Sequence, residues 1–512
     1  MEDKEVLVVD LFAGPGGLGE GISSAQTADG KHPFKIAMSV EKDPSAHKTL
    51  TTRALFRELK LGSHDLSNYY RYARGEITKQ ELYELHPKEA KKAEVETLNC
   101  PTELGKDNEK VHKRIKELVA KHYGPKVVIG GPPCQAYSLA GRSRNAGNKD
   151  YVAENDSRHF LYKEYLEVLS LVEPEVFVME NVRGILTAKV NGQLIFPEIL
   201  KDLRAPGKVT QNKTHHEYKI FSLVASAENE NLPEYKNSSD FLIKCEDFGI
   251  PQARHRVILL GVRCDVNATP AILEKIESKL TVEQAISDLP KLRSGFSKQK
   301  DCSKSWELAI TEHASQLKTL FRDKSTITKK SLTPYKNLNR SEKKPTSIPN
   351  QMPKYYKDWI YDEALEVVLN HETRGHMKQD LLRYAYCAVF ANLNNTSPKS
   401  RDFPASLAPA HKNWHTGAHA DRFRVQVASA PATTVTSHIS KDGHYFVHYD
   451  PKQCRSLTVR EAARLQTFPD NYIFEGTRTN QYVQVGNAVP PLLAKKIGVT
   501  VMNLLSSCLS KQ

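Results

Sequence analysis

The sequence predicts a doubly wound α/β fold, because short apolar runs alternate with helical stretches and a glycine-rich turn follows the first run. Five runs rich in β-branched residues end at a glycine or an acidic residue: 6–10, 36–41, 127–130, 176–180 and 257–261. Continuous apolar runs are typical of strands that are buried on both faces of a parallel sheet. In such folds ligands bind beyond the carboxyl ends of the strands.

Changes in composition and periodicity along the sequence divide the chain into three predicted regions. Strand-like runs alternate with helical stretches up to about residue 289. The following sequence is rich in Lys, Ser and Thr with little periodicity, and a helical pattern returns near the end. We therefore expect an α/β domain at 1–289, a smaller irregular domain at 290–455, and a C-terminal segment at 456–512 that packs back on the first domain.

Charge and cysteine usage narrow the class of protein. The net charge is +13 with a pI near 9.1, and residues 291–350 hold 14 Lys and Arg against 5 Asp and Glu. Such a stretch favours an anionic partner, although a solvated surface has the same composition. The eight cysteines include no C-x-x-C pair, which argues against a zinc ribbon and against a disulfide framework.

Neither a metal site nor a membrane segment is expected. His371 and His376 do not have the spacing that places two imidazoles on one helical face. No apolar run approaches the length of about 20 residues that a membrane-spanning helix needs. The first residues also lack the basic-then-apolar pattern of a signal peptide. These features predict a protein of the cytosol.

A glycine-rich turn follows the first apolar run. Gly14, Gly16 and Gly19 satisfy G-x-G-x-x-G, Gly17 lies between them, and Glu41 ends the second run. Glycines let the backbone approach a ligand closely, and a carboxylate at the end of the second strand can accept hydrogen bonds from ribose hydroxyls. The turn therefore predicts an adenosyl cofactor. NAD and S-adenosylmethionine both carry that ribose, so hydride transfer and methyl transfer remain open.

Three later segments place reactive side chains near strand ends. Cys134 follows the third run in a turn that Pro132 stiffens, which presents the thiol to the ligand crevice. Glu180 ends the next run at the equivalent depth. Arg254 and Arg256 are two residues apart where the last run begins, so both are expected to point to the same side. We expect the thiol, the acid and the two guanidiniums in one crevice.

These segments resemble the motif series of the DNA (cytosine-5) methyltransferases of the bacterial modification type. Six motifs occur in the family's order: Phe12-Ala-Gly-Pro-Gly, Gly131-Pro-Pro-Cys-Gln, Glu180-Asn-Val, Gln252-Ala-Arg-His-Arg, Arg460-Glu-Ala-Ala-Arg-Leu-Gln-Thr-Phe-Pro and Gly486-Asn-Ala-Val-Pro-Pro. The resemblance implies a Rossmann-like S-adenosylmethionine-dependent methyltransferase sheet at 1–289. It also implies a target-recognition domain at 290–455 that contacts duplex DNA, which gives the basic stretch a role in binding phosphates.

The resemblance further implies the course of the reaction. Cys134 as a thiolate attacks carbon 6 of a cytosine flipped out of the duplex, which activates carbon 5 for methylation. Glu180 hydrogen-bonds the ring, and the positive charges of Arg254 and Arg256 lower the pKa of the thiol. The family pattern places the following residues around S-adenosyl-L-methionine: Phe12, Gly14, Gly16, Gly17, Glu41, Pro132 and Asn487.

The acidic contact to the adenine is open between two residues. The family pattern places it at the end of a further strand, and the stretch between Glu41 and the run at 127–130 is longer than in a compact member. Asp65 is nearer to Glu41 in sequence. Glu103 is preferred, because the helical stretch at 109–122 should directly follow that strand.

Other functions are open at this point. The G-x-G-x-x-G match alone suits a nicotinamide oxidoreductase, but that reading leaves Cys134 and Glu180 without a role. An RNA (cytosine-5) methyltransferase would share the chemistry, and a non-catalytic DNA-binding relative would be expected to lack the thiol or the acid. The family context suggests a monomer that marks host DNA in a restriction-modification or phage-defence system with a partner endonuclease.

Overall fold

The computed structural model describes residues 5–62, 65–133, 158–190, 192–229, 231–298, 300–321, 332–345, 351–410, 414 and 421–509. Its strands are β1 (Val6–Leu11), β2 (Phe34–Val40), β3 (Lys126–Gly130), β4 (Val176–Val182), β5 (Lys189–Val190), β6 (Gln193–Leu194), β7 (Tyr218–Phe221), β8 (Leu242–Lys244), β9 (Gln252–Ala253), β10 (His255–Arg263), β11 (Gly295–Phe296), β12 (Gly375–His376) and β13 (Ala432–Thr433). All five predicted apolar runs are therefore strands.

Fifteen α-helices are described within these ranges. They are α1 (Gly17–Ser23), α2 (Pro44–Leu61), α3 (Ser67–Arg74), α4 (Lys79–Leu85), α5 (Pro87–Glu96), α6 (Asn108–Lys121), α7 (Arg158–Val172), α8 (Phe196–Arg204), α9 (Val282–Ile286), α10 (Ser303–Leu320), α11 (Lys354–Ile360), α12 (Lys378–Asn394), α13 (Val459–Leu465), α14 (Arg478–Asn487) and α15 (Pro491–Leu509).

A mixed sheet of seven strands forms the centre of the protein. Its order is β2-β1-β3-β4-β10-β7, and β8 also pairs with β10. The first four strands are parallel, whereas β10 runs antiparallel to β4, β7 and β8. The expected parallel direction is therefore wrong for 257–261. An apolar run looks the same in either direction, and β10 begins opposite the carboxyl end of β4, where Arg256 pairs with Val182.

Apolar cores cover both faces of the sheet, which confirms the doubly wound α/β class. On one face, Val8 of β1 belongs to a core with Leu18 of α1 and Ile497 of α15. On the other face, Val9 belongs to a core with Leu169 of α7. Alternate residues of β1 thus enter opposite cores, as expected for a strand buried on both sides.

The segment between β2 and β3 differs from the expectation. A strand ending just before the helix at 109–122, with Glu103 at its end, was predicted, but α2, α3, α4, α5 and α6 occupy the described part of this segment. Residues 87–96 are rich in Ala, Lys and Glu, which favour helix over strand. The sheet therefore ends at β2 on this side, and Glu103 lies in the loop between α5 and α6.

The C-terminal helix α15 packs closely on α1. A Cβ atom added at Gly21 would lie 2.2 Å from the Pro491 carbonyl oxygen and 2.4 Å from the Cβ of Ala494, so the two backbones need this glycine. The stretch Arg478–Ser507 is long and apolar enough to cross a membrane, but 72% of its apolar window is buried inside the protein. That burial is typical of the core helix of a globular fold.

Residues from 290 to 455 contribute a further core built around α10 and α12. Trp306 is fully buried there and donates from its indole nitrogen to the Ser294 hydroxyl at 2.9 Å. His371 lies between the Pro290 carbonyl and the Thr458 hydroxyl at 2.8 and 2.9 Å. Among the described residues, no group of three or more His, Cys, Asp or Glu is placed to hold a metal ion.

Candidate active site

A cavity of about 400 Å³ opens at the carboxyl ends of β1, β2, β3 and β4. This is the edge at which ligands bind in open α/β sheets, and the volume is in the usual range for small-molecule sites. The structure brings seven of the predicted site residues together around it: Phe12, Gly14, Glu41, Glu103, Pro132, Glu180 and Asn487.

The glycine turn forms one wall of the cavity. Gly14 and Gly16 have φ angles of +59° and +93°, a left-handed conformation that favours glycine. Gly16 does not line the cavity, and a Cβ atom there would lie 2.8 Å from Cδ1 of Leu50. Gly17 likewise faces the interior, where an added Cβ would lie 2.4 Å from the Val489 carbonyl oxygen. These two glycines allow the turn to pack, whereas Gly14 faces the ligand space.

Glu41 braces the glycine turn from the end of β2. Its carboxylate accepts hydrogen bonds from the backbone amides of Gly14 at 2.8 Å and Asp43 at 2.6 Å. Burial raises the pKa of Glu41, although these two amides act in the opposite direction. The Glu41 carbonyl also accepts from the amide of Thr102 at 2.8 Å, which joins the loop before Glu103 to the same wall.

Of the two acidic candidates for the adenine contact, Glu103 lines the cavity and Asp65 does not. Glu103 forms ion pairs with Lys42 at 3.0 Å and Lys106 at 2.7 Å, and hydrogen bonds from these lysines lower its pKa. Asp65 is exposed and accepts from the amide of Ser67 at the start of α3. Glu103 reaches the cavity from a loop rather than from a strand end.

Glu180 and Arg256 form an ion pair where β4 and β10 run side by side. The Glu180 Oε1 atom lies 2.7 Å from Nε of Arg256, and both side chains are largely buried. A Cβ atom at Gly131 would lie 2.8 Å from Oε2 of Glu180, so the absence of a side chain there lets the carboxylate lie against the turn. The ion pair holds the Glu180 carboxylate in place at the cavity wall.

The turn that leads to Cys134 is fixed from β4. Asn181 donates from Nδ2 to the Pro132 carbonyl at 3.2 Å, which agrees with a supporting role for this residue. Cys134 itself lies outside the described residues. None of the free cysteines that the structure describes lines the cavity. Burial raises the pKa of Cys245 to about 12 and that of Cys387 well above its usual range, which makes both poor nucleophiles.

Arg254 does not share the surroundings of Arg256, which corrects the expected pairing of the two guanidiniums. Arg254 precedes β10 and is 1% exposed. Neither arginine lines the cavity, but Arg256 contacts Glu180, which does. Its guanidinium donates to the carbonyls of Val435 and Ala488 at 2.8 Å and of Gly486 at 3.3 Å. Burial, and then the charge of Arg256, lower its pKa to about 9. Spacing along the sequence could not show that distant carbonyls would enclose this side chain.

Asp10 is a cavity residue that the sequence reasoning missed. It is the last residue but one of β1, lines the cavity and is 1% exposed. Neither carboxylate oxygen has a hydrogen-bond partner among the described residues. Burial raises its pKa to about 8, against the opposing charge of Arg57. An acidic residue directly before the glycine turn was the signal that could have identified it.

The basic stretch of the sequence has two kinds of cation. Arg293 is buried and Arg340 is half-buried, and the two share the Asp301 carboxylate at 2.7 and 3.5 Å. The described lysines are instead exposed: Lys291, Lys298, Lys300, Lys304, Lys318, Lys336, Lys343 and Lys344. The excess charge of this stretch is therefore available at the protein surface.

Comparison with known proteins agrees with this arrangement. Residues 89–503 match the family described as C-5 cytosine-specific DNA methylase. The type II methyltransferase M.Bpa9945I of Bacillus paralicheniformis is 34% identical, over 98% of this chain and 99% of its own length. The DNA (cytosine-5-)-methyltransferase M.ApeKI of Aeropyrum pernix is 26% identical, over 74% of this chain and 82% of its own length.

A solved structure supports the fold independently. The crystal structure of a DNA modification methyltransferase encoded within an E. coli prophage matches with a TM-score of 0.52 and 19% identity, covering 98% of this chain and 100% of that chain. The predicted family and enzyme class are thus confirmed. The chain belongs to the C-5 cytosine-specific DNA methylases, enzymes that methylate carbon 5 of cytosine in DNA.

Proposed function

We propose that this chain transfers a methyl group from S-adenosylmethionine to carbon 5 of cytosine in duplex DNA, with Cys134 as the nucleophile. The placement of Glu180 carries the proposal. Its carboxylate pairs with Arg256 at 2.7 Å and lines the cavity beside the turn that leads to Cys134. A cytosine ring offers nitrogen 3, an exocyclic amine and a carbonyl oxygen, which suit an acid and a guanidinium held side by side.

The proposed chemistry begins with activation of the ring. The Cys134 thiolate attacks carbon 6, which forms a carbon–sulfur bond and makes carbon 5 nucleophilic. Glu180 hydrogen-bonds nitrogen 3 and the amine, so that the charge of the adduct is neutralised at the ring. Arg256 supplies the positive charge near the thiol and holds Glu180 in place. Carbon 5 would take the methyl group that the cofactor supplies, with S-adenosylhomocysteine as the leaving group. Loss of the carbon 5 proton to water, with cleavage of the bond to Cys134, then completes the cycle.

The cavity fits an adenosyl cofactor. Glu41 presents a carboxylate for ribose hydroxyls, and Gly14 keeps one wall open. Phe12, Glu103, Pro132 and Asn487 complete the proposed contacts. S-adenosylmethionine, when bound there, supplies the electrophilic methyl group. Gly16 and Gly17 would serve by shaping the turn.

We assign DNA recognition to residues 290–455 and cofactor binding to residues 1–289, with 456–512 completing the catalytic domain. Carbon 6 of a stacked cytosine is inaccessible, so the base must be flipped out of the duplex, which costs a few kcal/mol. Exposed lysines of the 291–350 stretch can offset this cost through contacts with phosphates. Because relatives carry the type II name, we place the enzyme in a restriction-modification or phage-defence system of a bacterial cytoplasm, as a monomer with a separate endonuclease.

Substitution of Cys134 tests the proposal. Methyl transfer from labelled S-adenosylmethionine is measured on unmethylated plasmid duplex and on transfer RNA, and bisulfite sequencing locates the modified cytosines. We expect transfer to duplex DNA, its loss in Cys134→Ala, and retention of DNA binding in that variant. Cys264→Ala is the matched control, because Cys264 is an exposed cysteine that does not line the cavity.

The outcomes separate the alternatives. Residual turnover of Cys134→Ala above background would refute the nucleophile assignment. Modification of transfer RNA alone would identify an RNA methyltransferase. Binding of NAD without binding of S-adenosylhomocysteine would refute the cofactor assignment.

A further inference from the structure

A buried polar cluster lies behind the cavity, and no step of the proposed reaction uses it. It consists of Gln252, Arg254 and Gln466, which are 0%, 1% and 0% exposed, and we call it the Gln-Arg-Gln hub. Gln252 donates from Nε2 to Oε1 of Gln466 at 2.6 Å, so the two amide side chains are joined directly. The hub connects two parts of the chain that lie far apart in sequence.

One side of the hub holds a single residue of the proposed recognition region by its backbone. The Val435 amide donates to Oε1 of Gln252, and the Val435 carbonyl accepts from Nη1 of Arg254, both at 2.8 Å. Val435 follows β13, which pairs in parallel with β9. We call residues 432–437 the strap. The hub and β9 together fasten this strap to the catalytic domain.

The other side of the hub holds the wall of the cavity. The Ala488 carbonyl accepts from Nη2 of Arg254 at 2.8 Å and from Nε2 of Gln466 at 2.6 Å. Ala488 and its neighbour Asn487 line the cavity. The carbonyl of the next residue, Val489, packs against the glycine turn at Gly17. A ligand that orders this wall therefore acts on groups that the hub holds.

The strap and the wall also touch directly. A Cβ atom at Gly486 would lie 2.3 Å from the amide nitrogen of Ser437 and 2.3 Å from the carbonyl carbon of Thr436. The end of α14 and the strap are thus in backbone contact, where close packing transmits displacement. Movement of either one requires movement of the other.

Arg254 is poorly suited to a role in stability alone. Its direct partners among the described residues are carbonyl oxygens, and its Nε atom has none. A buried cation without a carboxylate in contact is unfavourable compared with a well-packed apolar side chain. The guanidinium instead sets the relative position of the strap and the wall, because one rigid planar group donates to both.

We propose that the Gln-Arg-Gln hub couples the cofactor cavity to the recognition region, so that a ligand in the cavity orders the strap and DNA held by 290–455 strengthens cofactor binding. The two effects are equal by linkage. Arg254 is a positioning residue in this proposal. This coupling rests on the proposed function, because it requires that the cofactor occupies the cavity and that DNA contacts residues 290–455.

Hydrogen exchange of the full chain, with and without saturating S-adenosylhomocysteine, tests the coupling without requiring the DNA sequence that the enzyme recognises. The amide of Val435 reports on the strap, and residues 12–16 report on the cavity itself. In the unsubstituted protein we expect the ligand to slow exchange at both places, by about fivefold or more at the strap.

Arg254→Met should abolish the slowing at the strap while the slowing at 12–16 persists. Arg254→Lys should reduce it, because one ammonium cannot reach Val435 and Ala488 as the planar group does. Arg460→Met is the matched control. Arg460 is also fully buried and donates its hydrogen bonds to carbonyls, those of Leu369, Pro469 and Tyr472. Asp470 lies 3.9 Å from its Nη1, and Arg460 does not contact the strap or the wall.

Three outcomes would overturn the inference. Slowing at the strap in Arg254→Met equal to that of the unsubstituted protein would remove Arg254 from the coupling. Slowing at 12–16 without slowing at the strap in the unsubstituted protein would show that the sites are independent. Slowing at neither place would refute the proposed cofactor site, and the coupling would fall with it. If Arg254→Met does not fold, Arg254→Lys and the unsubstituted protein still decide between the first two.

Discussion

Glu41 is the residue whose replacement tests the cofactor cavity most directly. Its carboxylate accepts from the backbone amides of Gly14 at 2.8 Å and Asp43 at 2.6 Å. Glu41→Ala removes the proposed ribose acceptor and leaves both amides without this partner. The glycine turn then lacks its brace in the free protein, and a ligand must order the turn as it binds.

The size of the effect follows from these contacts. A hydrogen bond to a charged group contributes about 1.5–3 kcal/mol, and about 1.4 kcal/mol changes a dissociation constant tenfold. We therefore expect Glu41→Ala to weaken S-adenosylhomocysteine binding by about 10- to 100-fold. Glu41→Gln keeps one acceptor oxygen and should lose less. Glu103→Ala should weaken S-adenosylhomocysteine binding by less than about fivefold. The Glu103 carboxylate is partly exposed and is already paired with the exposed Lys42 and Lys106, so solvent screens its contact with the ligand.

Isothermal titration calorimetry on the full chain measures these constants, and thermal unfolding of each free variant checks that the fold is retained. The contrast between Glu41 and Glu103 is the informative quantity. A dissociation constant for Glu41→Ala within about twofold of the unsubstituted value would refute the reasoning, since a charge-assisted hydrogen bond between this carboxylate and the ribose should be lost. An equal loss of S-adenosylhomocysteine affinity in Glu41→Ala and Glu103→Ala would refute it as well.

Three further predictions concern stability and DNA binding. Asp10 holds its proton up to about pH 8 in the folded protein but loses it near pH 4 in the unfolded chain. The free energy of unfolding therefore falls as the pH rises from about 4 to about 8. Between pH 7 and 8, Asp10 lowers the free energy of unfolding of the unsubstituted protein by about 1 kcal/mol, as urea denaturation would measure it. Asp10→Asn should abolish this decrease. Gly21→Ala should destabilise by about 1–3 kcal/mol or more through overlap with Pro491 and Ala494. Joint replacement of Lys343 and Lys344 by alanine should weaken DNA binding and lower the slope of log affinity against log salt by about 2.

Each prediction has a result that contradicts it. Glu96, with a pKa of about 7, also loses part of its proton between pH 7 and 8, so the informative quantity is the difference between Asp10→Asn and the unsubstituted protein, which share Glu96. An unchanged pH dependence in Asp10→Asn would therefore mean that Asp10 is ionised in the fold. Equal or greater stability of Gly21→Ala would show that α1 and α15 are less closely packed than described. An unchanged salt slope would mean that the two lysines are only solvated.

The fold could be predicted where local pattern decides the outcome. The five apolar runs became β1, β2, β3, β4 and part of β10, since strands buried on both faces show continuous hydrophobicity. The direction of β10 could not be predicted, because periodicity is the same in both directions. The strand expected before Glu103 was wrong for a similar reason, as the family analogy outweighed the helix-favouring composition of residues 87–96.

The candidate site could be predicted as a set of residues but not as a set of contacts. Glu41 and Glu180 end or follow strands, so topology alone brings them to one edge. Asp10 lies near the end of β1 in the same way, but the pattern that predicted the cofactor site begins with the glycines after it. The contacts of Arg254 could not be predicted, because its partners Val435 and Ala488 are distant in sequence and only folding brings them next to it.

The hub has a consequence for how such an enzyme acquires new specificity. Its hydrogen bonds to the strap and to Ala488 go to main-chain groups. Beyond an apolar residue with a free N–H at position 435, these bonds demand no particular amino acid in the strap. A recognition segment with different DNA-reading side chains can therefore be grafted at this junction while Gln252 and Arg254 stay unchanged. If residues 290–455 recognise DNA as proposed, we expect one catalytic domain to work with different recognition segments joined at this point.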